Sequence, residues 1–355
     1  METIPVRTSD PYEIILGGGL LGALGVYTCR LAKNCRVMIV SDDHVFPLYG
    51  NAAEESLKNE GFSVFSFVFS HGEASKTLET YASLIESMMK ARMDRSDLVI
   101  ALGGGVVGDV AGFAAATYER GIRYVQVPTT LLAAVDSSVG GKTGIDFGGE
   151  KNRIGAFYQP ALVLTDPETF RTLSEEVYLS GVAETLKYGV IGSESLFEEC
   201  VRIPVKDRFE QVVKACVEMK RDFVEADEYD HGSRMLLNFG HTFGHAVEAA
   251  GEYALPHGFA VSIGMAMVTK AAVKKGYCGE ETIEKLLNAL KQYGLPTEPP
   301  YSADALLPYV LGDKKRSGDA VRIVIPRSIG RAETVPVPVS EIRSWLVSGG
   351  AECDR

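Results

Sequence analysis

Six short apolar runs stand in the first half of this chain, at 12–17, 36–40, 63–69, 97–102, 123–127 and 161–165, each separated from the next by enough residues for a helix or a long crossover. Strands spaced in this way cannot be joined as tight hairpins. They demand βαβ units, a largely parallel sheet, and cover on both sheet faces. Beyond Pro167 the strand signal nearly vanishes, and helical periodicity governs 171–190, 206–227, 240–251, 257–276, 279–293 and 340–348, with one hairpin at 321–336. The spacing predicts an α/β domain over 1–166, Rossmann-like with a mostly parallel sheet, followed by a mostly α-helical domain over 167–355. A chain of 355 residues is longer than one hydrophobic core usually serves, which agrees with two domains.

The fourth strand runs into glycines: Asp97-Leu-Val-Ile-Ala-Leu-Gly103-Gly104-Gly105-Val106-Val107-Gly108-Asp109-Val-Ala-Gly112. A glycine-rich turn from strand to helix lets main-chain N–H groups and a helix N-terminus approach a phosphate or pyrophosphate. The spacing differs from the common GxGxxG fingerprint, and plain turns are built from the same residues. A polar stretch follows the 123–127 strand: Thr129, Thr130, Asp136, Gly140-Gly141-Lys142 and Lys151-Asn152. Threonines just past a strand lie at the carboxyl edge of the sheet, where open α/β folds bind ligands, and lysines beside glycines suit an anion.

Three of the six histidines fall within the seventeen residues 241–257: His241, His245 and His257. Any one of them alone reads as a core or capping residue. Packed this closely, with Gly240 and Gly244 beside them, they point to a metal or anion site. His241 and His245 are four apart and share a helix face, so spacing alone nominates that pair as ligands.

A net charge of −11 argues against nucleic acid or an anionic membrane as the main partner. The six cysteines form no CxxC pair, as expected of reduced thiols. The opening Met-Glu-Thr-Ile-Pro-Val-Arg lacks the pattern of a secretory signal, and no uncharged stretch reaches the length of a membrane span. These features lead to the expectation of a cytoplasmic protein.

Taken in order, several segments resemble one family. They are Gly103-Gly-Gly-Val-Val-Gly-Asp109, Tyr118-Glu-Arg120-Gly, Val127-Pro-Thr-Thr130, Val135-Asp-Ser-Ser-Val-Gly-Gly-Lys-Thr-Gly144, Lys151-Asn-Arg-Ile-Gly-Ala-Phe-Tyr-Gln-Pro160, Gly181-Val-Ala-Glu184-Thr-Leu-Lys187-Tyr-Gly189 and Leu237-Asn-Phe-Gly-His-Thr-Phe-Gly-His245. Together they look like 3-dehydroquinate synthase, a sugar phosphate cyclase, over about residues 39–330. Glu119, Ser174 and Thr185 depart from the family's usual methionine, proline and valine, and none stands at a position assigned to chemistry.

The resemblance implies one NAD and one Zn2+ or Co2+ per protomer of a homodimer. It places the metal on Glu184, His241 and His257, and moves His245 to the substrate side. It assigns NAD to Asp42, to His71, Gly72, Glu73, Ala74, Ser75 and Lys76, to Gly104, Gly105, Val106, Val107, Gly108 and Asp109, to Thr129, Thr130, Lys142 and Lys151, and to Thr169, Phe170, Arg171 and Thr172. Substrate contacts would be Asp136, Lys142, Asn152, Lys187, Lys220, Arg234, Asn238, His245, Lys314 and Lys315, with Arg120 reaching the phosphate across the dimer interface. The implied substrate is 3-deoxy-D-arabino-heptulosonate 7-phosphate. Transient oxidation, phosphate β-elimination, reduction, ring opening and intramolecular aldol closure would give 3-dehydroquinate, the second step of the shikimate pathway. The alternatives are a sister cyclase of the valiolone, inosose or amino-dehydroquinate type, a metal-dependent polyol dehydrogenase, and a non-catalytic paralogue.

Overall fold

A computed structural model describes residues 1–312, 316, 317 and 319–352. The chain divides into two compact units: Met1–Leu173 with Lys220–Tyr229, and Ser174–Met219 with Asp230 onward. The first unit contains strands β1 (Glu2–Val6), β2 (Tyr12–Leu16), β3 (Arg36–Asp42), β4 (Ser63–Phe69), β5 (Leu98–Gly103), β6 (Arg123–Pro128), β7 (Lys142–Phe147), β8 (Glu150–Phe157) and β9 (Leu162–Thr165). Its helices are α1 (Leu24–Thr28), α2 (Phe46–Asn59), α3 (Leu78–Lys90) and α4 (Gly105–Thr117). The second carries α5 (Glu175–Gly192), α6 (Glu194–Arg202), α7 (Phe209–Ala226) as far as Met219, α8 (His241–Ala250), α9 (His257–Lys274), α10 (Glu280–Gln292), α11 (Ala303–Gly312) and α12 (Ile342–Ser348), with strands β10 (Arg316–Ser317), β11 (Ala320–Ser328) and β12 (Arg331–Pro338).

Seven strands form one sheet in the order β1-β2-β9-β6-β5-β3-β4, parallel except for β1. Both faces are buried over the inner strands β2, β9, β6, β5 and β3, which is why those read as continuous apolar runs. On one side Ile39, Ile100 and Val125 pack with Leu24, Ala53 and Leu57; on the other, Met38, Val40, Val99 and Ala101 pack with Leu84, Met88, Val110 and Ala114. All six runs of the sequence analysis are strands of this sheet. The sequence analysis did not anticipate β1, nor the β7–β8 hairpin over 142–157. In that hairpin glycines and charged residues replace the alternating apolar pattern that would have marked it.

The helical remainder matches the periodicity closely, with α6 and α11 as additions. The chain crosses between units at 173/174, 219/220 and 229/230, where the sequence reading placed a single boundary at 166/167. Residues 220–229 join the first unit through particular contacts: Glu225 accepts from the Arg7 N–H at 2.7 Å, Glu228 accepts from Ser9 and from Gln159, and Lys220 pairs with Asp136. A long amphipathic helix gives no sign of such a handover, because its apolar stripe continues through it.

Two close approaches position the functional residues. At Gly108 on α4 an added Cβ would stand 2.7 Å from Gln126 Oε1 of β6, so the helix lies directly on the strand. At Gly264 on α9 it would overlap the Gly240 carbonyl oxygen. This brings α9 against the turn from which α8 starts.

Candidate functional site

In the sheet of the first unit the chain leaves β3 for β4 on one side, then returns to β5 on the other and continues to β6. The carboxyl ends of β3 and β5 therefore flank a topological switch point, the ligand-binding position of open parallel sheets. Asp42 ends β3, and its Oδ1 accepts from the His44 and Val45 N–H groups at 3.0 and 2.8 Å. Gly103, Gly104 and Gly105 turn β5 into α4, which begins without a side-chain cap and without an acid in its first turn. An uncapped helix start behind glycines fits a pyrophosphate. Val107 is absorbed by the core, whereas Val106 is partly exposed. After β6, Thr129 donates its N–H to Gly103 O at 3.0 Å, while its buried Oγ1 has no hydrogen-bond partner among the described residues. The 169–172 turn follows β9 and is tied to α2 by Tyr49, whose hydroxyl meets Thr169 O at 3.0 Å and Thr172 Oγ1 at 2.6 Å. Phe170 is buried there and Arg171 exposed.

Gly72 takes φ of 93°, and Glu73, Ala74 and Ser75 form a single 3-10 turn leading to Lys76. Lys76 is not free to range over a ligand. Its buried ammonium donates to Asp109 Oδ2 at 2.6 Å and to Asn152 Oδ1 at 2.5 Å, tying this turn to α4 and to the β7–β8 hairpin. Burial opposes that charge, but Asp109 and Glu73 outweigh it and hold the Lys76 pKa above its ordinary value. Asn152 sits in the left-handed region at φ 53° and donates its N–H to Asp146 Oδ1 at 2.7 Å. Lys151 Nζ lies 3.5 Å from Glu73 Oε1, and Lys142 opens β7 with an exposed side chain. Asp136 accepts from the buried Lys220 at 2.7 Å. Arg120 is exposed at the far end of α4 from the glycine turn, in left-handed backbone at φ 65°. Thirteen helical residues separate the two ends by about 20 Å.

In the second unit α5, α8 and α9 converge on one carboxylate. Glu184, 0% exposed, directs Oε1 at the Nε2 atoms of His241 and His257, 3.4 Å from each. The ligand atoms of these three residues lie within 4.8 Å of one another. His241 Nδ1 stands 3.1 Å from Phe239 O, which fixes its proton there and leaves Nε2 as an acceptor. The Lys187 ammonium stands 2.6 Å from Glu184 Oε2, one turn along α5. Among the described residues neither carboxylate oxygen accepts a hydrogen bond of ordinary geometry. Burial opposes the Glu184 charge, yet Lys187 and His241 hold its carboxyl well below the usual carboxylate range. Burial pushes the His241 pKa down. It opposes the charge of His257 too, but Glu184 and Glu248 raise that imidazole to about 10. An anionic, sparsely hydrogen-bonded oxygen facing two imidazole nitrogens is a donor set that would suit a divalent cation such as zinc.

His245 is exposed on α8 with its ring centroid 5.3 Å from that of His241. It belongs to a second grouping, with Glu248 and His257, that meets the first at His257. Arg234 is buried in the turn before α8, and Asn238 donates to Met235 O at 3.2 Å in the same turn. Lys314 and Lys315 lie outside the described residues. The sequence analysis gave no role to Glu248, or to Asp43 and His44, which meet His71 in an exposed cluster beside the ends of β3 and β4. Glu248 stands seven residues after His241, on the same helix face, and that spacing was the available signal.

Family models for the 3-dehydroquinate synthase N-terminal and C-terminal regions match residues 66–180 and 181–316. A 3-dehydroquinate synthase of Streptococcus suis (strain 05ZYH33) is 41% identical over 345 residues, covering 95% of this chain and 97% of that protein. The chain belongs to the 3-dehydroquinate synthase family. Solved structures of sugar phosphate cyclases share the fold. ValA, the 2-epi-5-epi-valiolone synthase of Streptomyces hygroscopicus subsp. jinggangensis 5008 with NAD+ and Zn2+ bound, is 28% identical with a TM-score of 0.88, covering 98% of each chain. A 2-deoxy-scyllo-inosose synthase complexed with carbaglucose-6-phosphate, NAD+ and Co2+ is 25% identical with a TM-score of 0.86, covering 97% of this chain and 100% of that one.

Two outcomes are expected of the histidine cluster. His257→Ala should lose bound divalent metal, whereas His245→Ala should keep it and lose turnover or substrate affinity; metal analysis of the purified variants separates the two, and the reverse pattern would restore the helix-face pair. Metal uptake should also release a proton. His257 is protonated in the metal-free protein up to about pH 10, and only the neutral ring binds metal. The apparent affinity should therefore rise about tenfold per pH unit between about pH 6 and 8, and a pH-independent affinity would show that His257 is not held protonated in the metal-free protein.

Proposed function

We propose that the chain is a 3-dehydroquinate synthase, a lyase that converts 3-deoxy-D-arabino-heptulosonate 7-phosphate to 3-dehydroquinate and phosphate. The observation that carries this reading on the molecule itself is the buried Glu184 carboxylate facing His241 and His257. It is joined by close identity to a curated enzyme of that name over nearly the whole chain. Bound NAD supplies a reversible hydride acceptor, and a bound Zn2+ or Co2+ supplies Lewis acidity towards neighbouring substrate hydroxyls.

Asp42, the Gly104–Asp109 turn, Thr129 and the 169–172 turn are the groups we assign to NAD, with the uncapped start of α4 meeting its pyrophosphate. Lys76 holds the geometry of that region through Asp109 and Asn152. The substrate bears a phosphate and a carboxylate, so an acidic protein must gather cations for it locally. Lys142, Lys220, Lys187 and Arg234 are assigned that part. Asp136, Asn152, Asn238 and His245 supply directional hydrogen bonds to its hydroxyls. Lys187 and Lys220 are charged but already paired with carboxylates. They therefore add positive potential without placing a bare ammonium in the interior. None of the described helices is long and apolar enough to cross a membrane; we assign the enzyme to the cytoplasm.

The decisive assay follows phosphate and NADH together. Phosphate should be released with catalytic NAD and no net NADH, and a chelator should abolish release. Stoichiometric NADH would mark a polyol dehydrogenase instead, and turnover confined to a hexose or heptulose phosphate of another cyclase would mark a sister enzyme.

We further propose a homodimer in which Arg120 serves the partner's phosphate pocket. The supporting observation is its place at the far end of α4 from the nucleotide turn of its own protomer. A guanidinium also suits bidentate phosphate recognition. Mixed dimers of Arg120→Ala and Lys142→Ala subunits should regain activity that neither parent has. Verified heterodimers as inactive as the parents would place Arg120 in its own subunit's chemistry or outside it.

A further inference from the structure

Glu248 has no part in the functions assigned above, yet it is 1% exposed and points a carboxylate at the metal-site histidines. Its two oxygens each stand 3.4 Å from His257 Nδ1, while the opposite ring nitrogen, Nε2, faces Glu184 Oε1 at 3.4 Å. His257 is the least shielded of the three residues in that grouping, with a third of its side chain exposed, and it is the first residue of its helix. His241, by contrast, is held from behind by a main-chain carbonyl. An imidazole that offers Nε2 to a cation carries its proton on Nδ1 and needs an acceptor there; without one it can turn, or adopt the other tautomer. A carboxylate removed from water is a stronger acceptor than a carbonyl, and it raises the electron density that the ring gives to a metal.

We propose that Glu248 is a positioning residue of the metal centre: it accepts the Nδ1 proton of His257, aims Nε2 at the position shared with Glu184 and His241, and so raises affinity for the divalent cation. This rests on the reading of Glu184, His241 and His257 as the metal ligands. The two histidines then differ in kind, one oriented by a neutral carbonyl and the other by an anion, and only the second is adjustable by a single side-chain change.

The experiment uses the metal-free full-length enzyme and measures Zn2+ affinity by competition with a chromophoric chelator. It compares wild type, Glu248→Gln, Glu248→Ala and His245→Ala, with thermal melting of each metal-free protein and imidazole 15N spectra alongside. Glu248→Ala should still bind one ion but 10- to 100-fold more weakly. Glu248→Gln, which keeps an acceptor oxygen, should fall between it and wild type. In both, the His257 Nδ1 resonance should move in a metal-free protein that still shows a cooperative melting transition, and His245→Ala should keep wild-type affinity. Wild-type affinity in both Glu248 variants overturns the proposal. So does an equal loss in His245→Ala, which would make Glu248 and His245 ligands themselves. If Glu248→Ala does not fold, the isosteric Glu248→Gln decides alone, and an unchanged affinity and resonance overturn the proposal. Failure of the underlying reading looks different: the wild-type enzyme takes up no ion, or Glu184→Ala keeps it.

Discussion

Glu184 carries its charge into a place water does not reach, and α5, α8 and α9 are arranged around it. A buried carboxylate with no counter-charge would cost several kcal/mol and would simply protonate. Lys187 on the same helix prevents that, standing 2.6 Å away and itself 1% exposed. The pair is poorly explained as a stabilising device. An ion pair this deep roughly breaks even against an apolar replacement, while loss of one partner costs about 3–5 kcal/mol. Its presence makes sense if the charge is wanted where it is, with Oε1 turned towards two imidazoles and Oε2 towards the lysine.

That arrangement depends in turn on how closely α8 and α9 approach. His241 begins α8 and His257 begins α9, so both imidazoles sit at helix starts, and their separation follows from the packing of the two helices. Gly264 lets α9 pass directly over the Gly240 turn, and a side chain there would push the start of α8 away. The shift needed to lose a metal site is small, since ligand distances are tolerated within only about 0.2 Å. The glycines flanking His241 therefore matter less for flexibility than for the spacing they permit between two otherwise rigid helices.

Much of this was legible in the sequence, for reasons that differ by element. The parallel sheet announced itself because burial on both faces forces continuous apolar runs, as in Val99-Ile100-Ala101-Leu102. The long helices were legible from periodicity. The β7–β8 hairpin was not, since Gly144, Gly148, Gly149 and Gly155 interrupt any alternation. Histidine density flagged the second unit, but spacing nominated His241 with His245 and could not find Glu184, which lies far upstream and meets His241 and His257 only through tertiary packing. That carboxylate entered through family resemblance, and the structure places it 3.4 Å from both His241 and His257. Glu248 went unassigned for the opposite reason: a glutamate on a helix is usually solvated, and its place seven residues after His241 gains weight only with its burial.

The return of residues 220–229 to the first unit bears on how the protein is made. A ribosome releases the sheet, the glycine turn and the hairpin well before it releases Lys220, Glu225 and Glu228. Until then Asp136 lacks its ammonium, and Arg7, Ser9 and Gln159 lack the carboxylates that hold them. Domains generally fold as units during synthesis, but here the amino-terminal unit is not complete until α5, α6 and α7 have also emerged. The amino-terminal unit is thus the first to begin translation and not complete until residue 229 is made, so completion of the two units is tied together by the order of the chain.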